Sequence, residues 1–135
     1  MHTIQEDLEF GTIAEHKLLP YLQKHFDGNL YKEPVRACRW DYRNDTHFFE
    51  LKSRRVSKER YETTMLAVNK VRHPNTIFLF NFTNGVYYIE YDEETFSGFE
   101  RAFYKRESNS NFENRLQEYY YIPVWKLKPL CLLSF

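Results

Sequence analysis

The chain has 135 residues, enough for one domain spanning 1–135 with a sizeable core, and its 19 basic and 19 acidic residues cancel, a balance unusual for a strong nucleic-acid binder. Twenty apolar residues never run together and the first ten are too charged for a secretory signal, so the expectation is a soluble, intracellular protein without a membrane partner. Cys38 and Cys131 lack C-x-x-C spacing, which removes a thiolate zinc site and reads as two reduced core thiols.

From the N-terminus, Gln5–Phe26 reads as a helix, with Leu8, Gly11, Leu18, Leu19, Leu22 and Phe26 as its apolar stripe and a kink expected at Pro20. Glu15 falls inside that stripe. A glutamate is almost never buried unless paired, so Glu15 needs a metal, a lysine or a tight hydrogen-bond partner, with Lys17 or a histidine as the ordinary choice. Arg36–Tyr42 and Thr46–Ser53 then read as a β-hairpin whose second strand, largely aromatic and aliphatic, is at least half buried. Period-2 geometry sets Glu50 and Lys52 on one face of it. A two-residue Asn44-Asp45 turn, or a four-residue loop over Arg43–Thr46, puts Asp41 opposite Phe48 and diagonal to Glu50; a three-residue loop reverses the parity. Carboxylates on such a diagonal, about 7–8 Å apart at the backbone, reach a common divalent cation. Hard oxygen donors suit Mg²⁺ or Mn²⁺. Lys52 beside a metal-activated water orients it, helps to deprotonate it or steadies a phosphate in transition. The plain alternative is an exposed Glu50–Lys52 pair of little energetic weight.

Lys52, Arg54, Arg55, Lys58 and Arg60 fall within nine residues directly after this patch, and Lys70, Arg72 and His73 follow; acids gather elsewhere, in Glu90–Glu94. Arg54, Arg55, Lys58, Arg60 and Lys70 are the expected contacts to a phosphate backbone, against a solvated surface face as the bland reading. Glu59–Val71 reads as a helix with Tyr61, Met65, Val68 and Val71 inward; its Thr63 and Thr64 are candidate phosphate contacts, with an ordinary surface position as the plain reading. Thr76–Phe82 is a buried strand, Asn84-Gly85 the centre of a hairpin turn and Val86–Tyr91 the return strand. Glu93–Arg106 has weak helical character, Glu107–Asn111 is a polar loop, and Tyr119–Val124 a strand ending near Pro123. The apolar tail Trp125–Phe135 must pack on the core or on a second subunit.

Glu15 on a first helix, Asp41 on a strand and Glu50-x-Lys52 on the next resemble the PD-(D/E)XK nuclease superfamily, and Gly11-x-x-x-Glu15 is similar to the first helix of archaeal Holliday junction resolvases. The resemblance covers residues 5–90. It implies an α/β, restriction-endonuclease-like core, a central mixed β-sheet flanked by helices. It also implies Asp41 and Glu50 as metal ligands, Leu51 offering its carbonyl oxygen, Lys52 as catalytic lysine, and Glu15 on a metal directly or through water. Trp40 stands where the superfamily usually has proline, which leaves Asp45 as a rival aspartate; Asp45 fits the turn better. The function so implied is an Mg²⁺- or Mn²⁺-dependent endonuclease cleaving DNA, structure-selective or directed by a partner, as standalone domains of phages and large DNA viruses are. Cutting both strands of a duplex makes a homodimer the expected assembly. An inert nuclease-like scaffold and an RNA-binding α/β module that stacks bases on Tyr and Phe are the alternatives.

Overall fold

The computed structural model describes residues 4–32, 40–105 and 116–135, with residues 4–13 as backbone only. Helix α1 (Ile4–His25) continues past Pro20, which sits inside it, so the expected element stands. Its buried face is Ala14, Leu18 and Leu22, with Leu19, Tyr21 and Phe26 packed alongside. Cys38 and the loop 107–111 lie outside the described residues, as does most of the strand expected over 36–42. What precedes the turn is a two-residue strand, β2 (Tyr42–Arg43), paired with β1 (Tyr31–Lys32) and with β3 (Phe48–Ser53).

The first sheet is mixed, in the order β1-β2-β3-β5-β6-β9, where β5 is Thr76–Phe82, β6 Gly85–Glu90 and β9 Lys128–Cys131. β3 and β5 are parallel, pairing Glu50 with Phe78 and Lys52 with Phe80; the other neighbours are antiparallel. All seven residues of β5 are buried, as suits a central strand covered on both faces. On one face Phe49, Ile77 and Leu79 pack against Leu18 and Leu22 of α1. On the other Phe78, Phe80 and Phe82 pack against a second, three-stranded sheet, β4-β8-β7: Thr63–Ala67, Leu116–Pro123 and Glu100–Lys105. The chain is thus α/β with a mixed sheet. Among the described residues no helix is long and apolar enough to cross a membrane.

Two expected helices are corrected. Glu59–Val71 is a 3-10 turn (Lys58–Arg60), strand β4 and a second 3-10 turn (Val68–Lys70). Thr64 and Leu66 turn inward while their neighbours are half-buried, and β4 pairs antiparallel with β8, so partner and alternation overrode a helical spacing. Tyr61, expected inward, is 60% exposed. Glu93–Arg106 keeps one short helix, α2 (Glu93–Ser97), capped by the Asp92 carboxylate, which accepts from the Thr95 N–H at 3.0 Å; Gly98 ends it and β7 begins. The β5–β6 turn is centred on Thr83-Asn84, because Gly85 already pairs with Phe82. Gly85 has φ +152°, and a Cβ there would stand 3.0 Å from the Cys131 carbonyl of β9, so the strand needs its missing side chain. The tail packs at home: Leu127 is buried, β9 pairs with β6, and Phe135 meets the Tyr21 ring edge-on at 5.1 Å. The Cys131 thiol is free and half-buried.

Candidate functional site

The turn after β2 sets the geometry. Asn44 Oδ1 accepts from the N–H groups of Thr46 (2.9 Å) and His47 (2.7 Å), and the Asn44 N–H donates to the His47 carbonyl. That side chain stabilises a four-residue loop, Asn44–His47, one step later in the chain than expected. The parity survives but the register moves by two: Tyr42 pairs with Phe49 and Arg43 with Phe48, so the next position out brings Asp41 across from Glu50 instead of Phe48. Asp45 is exposed in the loop. Trp40 lies against Phe48 with ring centroids 4.1 Å apart and planes tilted by 39°, bracing the residue before Asp41.

Asp41 closes the end of the hairpin. Its N–H donates to the Phe49 carbonyl at 2.8 Å, and its Oδ2 accepts from the Leu51 N–H at 2.8 Å. In β3 the N–H groups of Phe48 and Arg54 point to the β5 side, so that of Leu51 points the other way, where β2 has already ended. The carboxylate thus replaces a missing strand carbonyl. Burial pushes the Asp41 carboxyl up to about 6; the Leu51 N–H works against that rise, Glu15 adds to it as a charge and as a hydrogen-bond partner, and Lys52 lowers it. Asp41 and Glu15 thus stand close enough for Glu15 to help raise the Asp41 carboxyl.

Glu15 sits on the flank of α1, partly covered. Its Oε2 pairs with Lys32 Nζ at 3.1 Å, and its carbonyl accepts from the fully buried Tyr42 hydroxyl at 2.5 Å. The partner is Lys32 on β1, neither Lys17 nor a histidine. Glu50 is 6% exposed, and its Oε1 lies 2.9 Å from Lys52 Nζ and 3.9 Å from Lys70 Nζ. The Lys70 ammonium is lowered first by the charge of Lys52 and then by burial, with Glu50 opposing. Asp41, Glu15, Glu50, Lys52 and Lys70 thereby act on one another as one electrostatic unit. Leu51 packs its side chain toward α1 and gives its N–H to Asp41.

An open cleft of about 680 Å³ lies beside this unit, with Lys52, Arg54, Lys58 and Lys70 in its wall and no carboxylate among the described residues that line it. Arg54 is also a brace. Its guanidinium donates to Thr64 Oγ1 at 3.2 Å and to the Met65 carbonyl, over the Phe80 ring. Arg55 and Arg60 are exposed and stand outside the lining; Arg60 lies over the Tyr61 ring, 5.5 Å from its centroid. Thr63 and Thr64 do line the cleft. Sequence reasoning missed Lys32, Tyr42 and the tyrosines of β7 and β8. Only the polar tip of Tyr42, two positions before Asn44, carried a signal, since a buried tyrosine needs a partner for its hydroxyl.

No protein family, curated protein or solved structure matches the chain.

Whether this donor set suits Mg²⁺ or Mn²⁺ turns on the carboxylates. Among the described residues no three potential ligands stand grouped as a metal cage. Mg²⁺, however, commonly takes one or two carboxylates and completes its shell with water and phosphate oxygens. Asp41 and Glu15, which lie close enough for Glu15 to help raise the Asp41 carboxyl, are the two that would fill that role. Glu50 would join by exchanging its contact with Lys52.

Proposed function

We propose that the chain is a metal-dependent nuclease that hydrolyses phosphodiester bonds in DNA, with a restriction-endonuclease-like core. The observation that carries the reading is the Asp41–Glu15 carboxyl pair standing beside a lysine, Lys52, that already clasps Glu50. A helix packed on a mixed sheet, a hairpin bearing the carboxylates and a parallel β3–β5 pair support the fold assignment. One departure is that β4 of the second sheet, not a helix, makes the crossover between β3 and β5.

In this reading Asp41 and Glu15, with Glu50 after it releases Lys52, hold Mg²⁺ or Mn²⁺. The ion when bound supplies an activated water and offsets charge on the phosphate. The chain's own residues do the rest. The Leu51 N–H fixes Asp41 Oδ2, and Tyr42 fixes the turn of α1 that carries Glu15. Lys52, freed from Glu50, is placed to orient the attacking water and to donate to the phosphate; Lys70 and the cleft cations neutralise neighbouring phosphates. The homodimer is part of the proposal: Leu132 (75% exposed) and Leu133 (54%) after β9 offer it an apolar contact.

The test is cleavage of labelled linear, nicked, single-stranded and four-way-junction DNA with Mg²⁺, Mn²⁺ or EDTA, beside Glu50→Ala and Lys52→Ala. Metal-dependent cutting lost in both variants is expected; a folded protein that cuts nothing and binds no Mn²⁺ sinks the reading. In that event the second reading stands, an inert scaffold that binds without cutting. It is favoured by the lysines that already occupy Glu50 and Glu15.

A further inference from the structure

The cleft has a second wall that the catalytic reading does not use. Strand β8 alternates: Tyr120 and Ile122 turn into the core between the two sheets, so Tyr119 and Tyr121 stand on the outer face. Across from Tyr119 the pairing places Ala67 on one side and Ala102 on the other. Two alanines leave the flanks of that ring uncovered, where a tyrosine kept for packing would have larger neighbours. Tyr104 of β7 adds a ring 6.4 Å from that of Tyr119, at 76° to it, and is itself 53% exposed. Tyr61, at 60% exposure, stands at the same cleft. Four tyrosines and four cations thus line one open groove with no carboxylate among its described residues.

We infer that this groove binds a single-stranded nucleic acid, with unpaired bases on the rings of Tyr119, Tyr121, Tyr104 and Tyr61 and phosphates along Lys52, Arg54, Lys58 and Lys70. Charge complementarity sets the sign of the ligand, and the rings set its form. Aromatic faces combined with a cationic track hold single strands without sequence preference, whereas a duplex hides its base faces and offers only phosphates. Because Lys52 and Lys70 belong both to the groove and to the Glu50 cluster, the bound strand leads to the candidate catalytic groups. For the nuclease, on which only this last step rests, the substrate class becomes unpaired strands: flaps, tails or gapped regions.

Binding, not cutting, is the test. Fluorescence anisotropy in EDTA compares the full chain on labelled oligothymidylate, oligouridylate and a hairpin duplex of equal length. The single strands should bind at least about tenfold more tightly than the duplex, and Tyr104→Leu and Tyr119→Leu should each weaken them about 5- to 100-fold. Tyr119→Phe, which keeps the ring, should restore binding; equal loss in the Phe and Leu variants overturns stacking. Tyr104 is exposed, so its variant reports on the groove without disturbing the core. Preference for the duplex, or Leu variants that bind like the parent, overturns the inference. The relative strength of the two single strands separates DNA from RNA as the source. A chain that binds single strands yet cuts nothing refutes the nuclease and keeps the groove; one that cuts but prefers duplex does the reverse.

Discussion

Asp41→Asn retains an oxygen to accept from the Leu51 N–H, offers an N–H to Glu15, and removes a charge that burial disfavours. A carboxyl moved from 3.8 to about 6 on folding corresponds to about 3 kcal/mol of lost stability for the ionised form. Asp41 is only partly covered, and water reaching it reduces that ceiling to about 1–2 kcal/mol. The sign follows from the raised pKa: the folded state binds the proton more tightly, so the penalty is complete above about pH 6. It shrinks as pH falls through 6 and vanishes below 3.8. Asp41→Asn should therefore melt about 3–8 °C higher than the parent at pH 8 in EDTA, with the gap closing toward pH 4. Thermal and urea unfolding of both proteins across that range is the assay. Equal stability at pH 8, or a gap that does not change with pH, would refute the claim that a carboxyl raised by burial sits at the hairpin end.

The same group ties ion binding to pH: Mn²⁺ affinity, read by calorimetry, should rise about tenfold per pH unit below pH 6 and flatten above it, since the ion displaces the proton of Asp41. A flat profile would show that Asp41 is not a ligand. Tyr42→Phe should cost about 0.5–1.5 kcal/mol in urea unfolding through loss of the bond to the Glu15 carbonyl, and should weaken Mn²⁺ binding as Glu15 loosens; unchanged ion affinity would detach Tyr42 from the site. Gly85→Ala should cost about 1–3 kcal/mol, because φ +152° and the Cys131 carbonyl at 3.0 Å both oppose a side chain; a neutral outcome would mean that β9 does not dock as closely as described.

The parts of the fold that could be read from the chain are those whose apolar pattern admits one interpretation. Thr76–Phe82 is a continuous buried run bounded by turn residues, and α1 shows a long 3.6-residue stripe with Glu15 conspicuous inside it. Glu59–Val71 is different, because Tyr61, Met65 and Val68 fit a helix while Thr64 and Leu66 fit a strand. The deciding partner, β8, lies some fifty residues downstream. Gly98 was the stop signal that should have cut the second helix short. At the site, alternation was enough to place Glu50 and Lys52 together. The register of Asp41 depended on one side chain, Asn44, choosing a wider turn. The cleft tyrosines were invisible for a related reason: Tyr119, Tyr120 and Tyr121 are identical in composition, and only the pairing with β4 and β7 tells which of them face the core.

The crossover through β4 also dictates an order of assembly. β3 and β5 align in parallel around the candidate site, yet the strand joining them finds its own neighbour only in residues 116–123. Until that late segment is made, Phe78, Phe80 and Phe82 have no second sheet to lie against, and the edge of β4 stays open. Pairings so distant along the chain must meet their loop-closure entropy before contacts reward it, placing such topologies in the millisecond-to-second range of folding times. The nascent chain therefore exposes its phenylalanine face while residues 83–123 are being made, an interval in which chaperones and aggregation compete for it.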